Sequence, residues 1–412
     1  MKNTKLNAWL WKWHFIAGMI SLPFILLLSI TGGIYLFNAD YEQEAKAGLQ
    51  KVVATENPIR FQQQFDLVSK YTGNKPTSMT IPSNTNEATE FIYGRFGKKK
   101  SIYVDPYKAT ISGNYAAKNT SMYTVRKLHG ELLGGSFGTK IVELIASWMV
   151  VLILTGIFIW WPVRKWSLKG LFTYRTKVDK RTFYRDLHAV TGFWISIFLF
   201  LVLAGGFPWT DVVGSNFKWL QKVTNTGYPE TWDGRKLQSE LTEKTISLDE
   251  MVTIAKSLNL KGSVSIGIPK SSKSTFSVSN KTIDLHAQKK FHFDQYSGAQ
   301  IVKNDWKDVG VLMRGRMWLM AFHQGEFGAW NWWLLLGLAI VLTIMSAAAI
   351  VSYLLRKRKD SWGIPKVPAK FKAGKGIVCL IILLGIIFPL FGVSIVLIYL
   401  YEKIKNRKKS LN

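Results

Sequence analysis

Five stretches of the chain, 15–37, 141–163, 189–209, 332–355 and 377–401, run almost unbroken in apolar residues. A helix of about 20 apolar residues spans roughly 30 Å of hydrocarbon. The pattern therefore predicts a polytopic α-helical membrane protein with five crossings. Two long polar connections, 38–140 and 209–331, separate these runs. Within them the period changes. "PIRFQQQFDLVSKY" and "SLDEMVTIAKSLN" place apolar residues at helical spacing, whereas "ATEFIYGRF" and "SKSTFSVSN" alternate as strands do. Turns rich in Gly or Asp follow, so each connection reads as a helix and then antiparallel hairpins, an α+β module.

The chain has 412 residues and a net charge of +28. Its basic residues crowd the N-terminus, the loop 164–186 and the loop 356–375, beside the apolar runs. Such clusters stay on the cytoplasmic side and meet anionic lipid, so the charge does not call for nucleic acid. The two long connections are then outside. The fifth run strains this scheme, because it would carry the basic tail "EKIKNRKKSLN" outward. Pro389 and Gly392 lie within that run and make a bent or re-entrant segment an alternative. Many of the 17 Trp flank the runs, as an aromatic interfacial belt. A single cysteine, Cys379, leaves no intramolecular disulfide. The first run exceeds a signal peptide's apolar core and reads as an uncleaved anchor.

The chain repeats itself. "WHFIAGMISLPFILLLSITGG" (13–33) matches "LHAVTGFWISIFLFLVLAGG" (187–206): His, then Gly four residues on, then Gly eighteen after the His. "YVDPYKATISG" (103–113) aligns with "HFDQYSGAQIV" (292–302), and "VRKLHGELLGG" (125–135) with "LMAFHQGEFGAW" (319–330). The half-chain is span, module, His-Gly segment, span, and it occurs twice. The implied boundaries are span 1 in 1–37, module 1 in 38–128, a His-Gly segment with span 2 in 129–163 and a basic loop at 164–186. Span 3 follows in 187–209, module 2 in 210–318, a second His-Gly segment with span 4 in 319–355, and a loop, span 5 and tail in 356–412.

His14 and His188 open the first and third runs, near the inner face; His129 and His323 precede the second and fourth, near the outer face. A pseudo-twofold axis along the membrane normal would bring each pair together. One interfacial histidine is usually only a polar residue, but four placed by a repeat in like-sided pairs point to ligation. Two neutral imidazoles from facing helices suit both axial positions of a haem iron. Arg126, Arg185, Arg314 and Arg316 stand near the histidines and would meet haem propionates or serve as snorkelling anchors. A non-haem metal wants three or four ligands, and only the outer pair has carboxylates nearby, Glu131 and Glu326. A proton relay is the remaining reading. His286 and His292 have no counterparts in the first module and read as ordinary surface or strand residues.

"WHFIAGMISLPF", "KLHGELLGGSFG", "DLHAVTGFWIS" and "FHQGEFGAWN" resemble the histidine signatures of the PepSY-associated transmembrane proteins, and "IYVDPYKATISG" resembles a PepSY strand motif. The resemblance covers nearly the whole chain. It implies a duplicated four-helix bundle with one extra C-terminal helix and two periplasmic PepSY-like modules, in the bacterial inner membrane. The family is similar to ferric-siderophore reductases and iron-regulated membrane proteins. In those reductases such histidines bind two b-type haems, which carries to His14 with His188 and to His129 with His323. Some relatives carry a fused flavoprotein domain. No such domain follows residue 402, and no dinucleotide-binding Gly-rich turn is present, so the electron donor is expected to be separate, a quinol or a cytoplasmic reductase. The expected activity is haem-dependent reduction of a periplasmic acceptor, a ferric siderophore. The rival classes are a PepSY-based binding or regulatory protein without redox activity, and a transporter.

Overall fold

The computed structural model describes residues 4–94, 98–161, 171–357, 361–365, 367 and 371–411. Residues 164–170 of one basic loop, and 358–360, 366 and 368–370 of the next, lie outside these. Two compact units are present: residues 1–36, 125–220 and 319–412 form one, and 37–124 and 221–318 the other.

The first unit holds four long apolar helices: α1 (Thr4–Tyr35), α5 (Gly135–Trp160), α6 (Lys180–Gly206) and α10 (Ala329–Arg356). At 1.5 Å per residue each is long enough to span the bilayer. They close a ring in which α1 and α6 each pack on both α5 and α10. Ile25, Ile145, Ile153, Ile195, Leu199, Leu335, Leu338 and Leu342 fill its centre. Small residues bring the helices close; a Cβ on Gly33 would stand 3.2 Å from that of Ala339. The helices start earlier than the apolar runs. Asp179 caps the N-terminus of α6 through the Thr182 amide, so its basic first turns stay helical. His14 and His188 therefore lie two or more turns inside their helices.

The expected fifth span is not one helix. Among the described residues four helices have the length and hydropathy of a crossing. Residues 375–411 instead form α11 (Lys375–Ile387) and α12 (Pro389–Leu411). Pro389 cannot donate to the preceding turn and forces Phe388 out of the helical region, to ψ 83°. The chain doubles back there, and a Cβ on Gly385 would lie 3.2 Å from the Cα of Gly392. Phe371, before α11, touches Trp9, while Glu402 of α12 lies 3.9 Å from Lys12. Both arms thus reach the N-terminal end of α1. The bend itself packs on Phe207, and Phe391 packs on Trp148 of α5. A re-entrant hairpin keeps the basic tail at the same end as the basic N-terminus, which removes the conflict with the charge rule.

The second unit is built on one sheet. α2 (Asn38–Gln50), α3 (Phe61–Thr72) and strands β1 (Ser78–Thr80), β2 (Thr89–Tyr93), β3 (Lys100–Asp105) and β4 (Thr110–Ala116) come from the first connection. α8 (Leu248–Ser257) and β5 (Ser263–Gly267), β6 (Phe276–Lys281), β7 (Lys289–Phe293) and β8 (Gln300–Asp305) come from the second. The strand order is β4-β3-β2-β1-β5-β6-β7-β8, antiparallel throughout. The helix-plus-strands reading of each segment holds, but the two segments share a sheet and a core rather than folding apart. β1 meets β5 with Met79 opposite Ile266, both fully buried. α3 and α8 lie side by side and cap each other. Asp249 accepts from the Phe61 and Gln62 amides at 2.8 and 3.2 Å, and Gln62 accepts from the Leu248 amide at 3.1 Å. Asp105 and Asp294 make matching turns, each accepting from the amide two residues on at 2.9 Å.

Three helices complete the chain: α4 (Ser121–Glu131), α7 (Val212–Val223) and α9 (Val311–Gln324). The fully buried Glu143 of α5 caps α7 through the Val212 and Val213 amides, at 2.8 and 3.1 Å.

Candidate functional site

The bundle brings the four histidines together in the expected pairs. His14 of α1 faces His188 of α6, with ring centres 6.5 Å apart and planes crossed at 73°. His129 of α4 faces His323 of α9, with centres 6.4 Å apart and planes crossed at 59°. The first pair sits toward the N-terminal ends of α1 and α6. The second sits toward their C-terminal ends, against Gly32 and Gly206. His129 is not held away from the bundle, although it precedes α5. Its helix ends in a tight turn in which Leu132 and Leu133 adopt φ of 45° and 60°, and α5 starts at once.

Glycine makes room for these rings. A Cβ at Gly32 would stand 3.1 Å from Cε1 of His129, and one at Gly156 would stand 3.2 Å from Cε1 of His14. At Gly205 a Cβ would fall 2.5 Å from the Leu319 carbonyl oxygen and 2.7 Å from Cβ of His323. Each ring is anchored at Nδ1. His188 meets the Met345 carbonyl at 3.3 Å, and His323 the Val202 carbonyl at 2.7 Å. His14 meets Thr155 Oγ1 at 2.9 Å, and His129 meets Thr31 Oγ1 at 3.1 Å. A carbonyl only accepts, so in His188 and His323 the proton sits on Nδ1 and the lone pair on Nε2.

The spacing discriminates between chemistries. Two imidazoles on opposite sides of one metal, each about 2 Å from it, have ring centres roughly 6 Å apart. Two imidazoles sharing a proton need an N···N distance of about 2.9 Å, which places the centres roughly 5 Å apart. The observed separations match the first arrangement. Among the described residues no group of three or more His, Cys, Asp or Glu could hold a metal ion. The separations leave room for one metal atom between the two imidazoles of each pair, so His14 with His188 and His129 with His323 would suit a haem.

The arginines are placed less uniformly. Arg185 is drawn to the fully buried Asp186, at 3.1 Å, and Arg175 binds the same carboxylate at 2.6 and 2.7 Å. Arg185 is thus tied to a protein carboxylate, and Asp186 fastens the loop before α6 to the helix that carries His188. Arg126 lies three residues before His129 on α4. Arg314 and Arg316 lie on α9; burial lowers the pKa of Arg316, and the neighbouring Tyr228 opposes that shift. Glu131 pairs with Lys127. His286 packs on Trp306, and His292 is buried in β7 between Thr275 and the Trp232 carbonyl. Burial lowers the pKa of His292 and favours its neutral form, as for a core residue of a strand.

Sequence reasoning missed several residues. Thr31 and Thr155 are polar residues inside apolar runs, and that was their only signal. Trp11 lies parallel to His14, at 6.5 Å and 10° between planes, and Arg356 lies over Trp11 at 5.9 Å. Nothing in the local pattern distinguishes Trp11 or Arg356 from interfacial anchors.

None of the curated proteins matches this chain. The family model for the PepSY-associated TM region matches residues 11–356, which takes in all four histidines and leaves out the α11–α12 hairpin. The chain belongs to the PepSY-associated TM region family.

Proposed function

We propose that the protein is a dihaem electron-transfer protein of the bacterial inner membrane that reduces a periplasmic ferric siderophore and so releases ferrous iron. The N-terminus faces the cytoplasm and the sheet-bearing unit faces the periplasm. His14 and His188 hold the inner haem; His129 and His323 hold the outer one. When bound, two b-type haems supply one-electron transfer between the two faces of the bilayer. The observation that carries this reading is the pair of imidazole–imidazole separations, 6.5 and 6.4 Å, at opposite ends of one bundle.

The chain's own residues do the rest. The apolar bundle core excludes water and lowers the local dielectric around each histidine pair. The Nδ1 contacts fix ring orientation. Arg126, three residues before His129 on α4, adds positive charge beside the outer pair, which attracts an anionic chelate and stabilises carboxylates of the prosthetic group. Reduction of the chelated iron by one electron weakens its hold on hard oxygen ligands. The electron donor is a separate molecule, a bilayer quinol or a cytoplasmic reductase.

Anaerobic rapid mixing of dithionite-reduced protein with excess ferric siderophore tests this. The reading predicts reoxidation of both haems together with ferrous iron trapped by a chromogenic chelator. His129→Ala should slow reoxidation at least tenfold. Reduced protein that stays reduced in the presence of several chemically distinct ferric chelates contradicts the reductase assignment.

A further inference from the structure

The two halves of the chain anchor their histidines differently. Near each ring runs a helix carbonyl: Leu152 for His14, Leu28 for His129, Met345 for His188 and Val202 for His323. Three residues after each carbonyl stands a further position. In the first half it is Thr155 and Thr31; in the second it is Ala348 and Gly205. Only the first half adds a hydroxyl to the carbonyl as a partner of the ring.

That hydroxyl has one proton, and it is already committed. Thr155 Oγ1 donates to the Val151 carbonyl at 2.7 Å, and Thr31 Oγ1 donates to the Leu27 carbonyl at 2.7 Å. Back-bonding of this kind is ordinary for threonine in an apolar helix. Its consequence here is not. With the proton spent, Oγ1 offers Nδ1 only a lone pair. Nδ1 must then donate, at 2.9 Å in His14 and 3.1 Å in His129. The proton is excluded from Nε2, which keeps its lone pair for a ligand.

We infer that Thr31 and Thr155 are positioning residues for the two prosthetic groups. Each adds a second acceptor at Nδ1 of one first-half histidine, Thr155 beside the Leu152 carbonyl for His14 at the inner site and Thr31 beside the Leu28 carbonyl for His129 at the outer site, and so increases the basicity of its Nε2. This rests on the haem reading above. An acceptor on Nδ1–H pushes electron density toward the metal-binding nitrogen and favours the oxidised metal. Each threonine therefore lowers the potential of its own site alone.

The test uses the full-length haem-loaded protein in detergent, with Thr31→Val, Thr155→Val and the corresponding serine variants. Spectroelectrochemical titration is the readout. Thr31→Val should raise the outer potential and leave the inner one in place. Thr155→Val should do the reverse. A several-fold change in the reduction equilibrium constant is expected at the affected site, and Ser, which keeps the hydroxyl, should restore the original value. Electron paramagnetic resonance of the oxidised protein should show one of two low-spin signals moving in each valine variant. Two bound haems whose potentials and signals ignore both valine substitutions overturn the threonine assignment and leave the dihaem reading standing. Unaltered protein that binds no haem overturns both.

Discussion

At the scale of single residues, the histidine pairs depend on what surrounds them as much as on the imidazoles. Gly205 shows this. Its missing side chain is what lets α9 bring His323 against α6, because a Cβ there would collide with the Leu319 backbone and with His323 itself. Gly205→Ala should displace His323, cost on the order of 1–3 kcal/mol by overpacking, and reduce outer-haem content while sparing the inner site. Gly337, where an added Cβ meets nothing within 4 Å, supplies the control. Haem stoichiometry and thermal melting of the two variants check this; equal behaviour of Gly205→Ala and Gly337→Ala contradicts it. The histidines were legible in the sequence because the repeat placed them. Their anchors were not. A threonine in an apolar run looks the same whether its oxygen faces lipid or an imidazole, and which carbonyl accepts from Nδ1 depends on packing between distant helices. Arg185 had a partner that its spacing did not reveal: its neighbour Asp186 is buried and pairs with it.

At the scale of elements, the long apolar helices and the helix-then-strands order followed from periodicity alone. The strand pairing across the two segments did not. Met79 opposite Ile266 joins strands far apart in the chain, and a three-residue strand such as β1 carries little local signal. The C-terminal segment is the clearest departure. Its hydropathy suits a crossing, but Pro389 breaks the helix and Gly385 with Gly392 lets the two arms close. A hairpin of this form returns α12 to the end of the bundle where α1 begins. Protease protection of terminal tags in oriented vesicles should therefore show N- and C-terminal tags removed from the same side. Removal from opposite sides would restore a fifth crossing. Gly392→Leu should splay the hairpin, since a side chain there meets the Gly385 backbone, and should loosen the contact of Phe391 with Trp148.

At the scale of the whole molecule, one organisation recurs in both halves. Each half contributes a helix with an early histidine, a helix with four strands, and a short helix ending near a second histidine. The strands of both halves close one sheet, and the long helices of both halves close one ring. Neither half could supply a facing histidine pair by itself, because His14 needs His188 and His129 needs His323. Each facing pair thus takes one histidine from either half of the chain. The most direct test is an absorption spectrum of the purified protein, oxidised and dithionite-reduced, with haem counted per chain in the unaltered protein and in His14→Ala, His129→Ala and the double variant. The account predicts two low-spin six-coordinate haems, one lost in each single variant and both in the double. A colourless protein from haem-replete cells, or loss of the same haem from His14→Ala and His129→Ala, would contradict it.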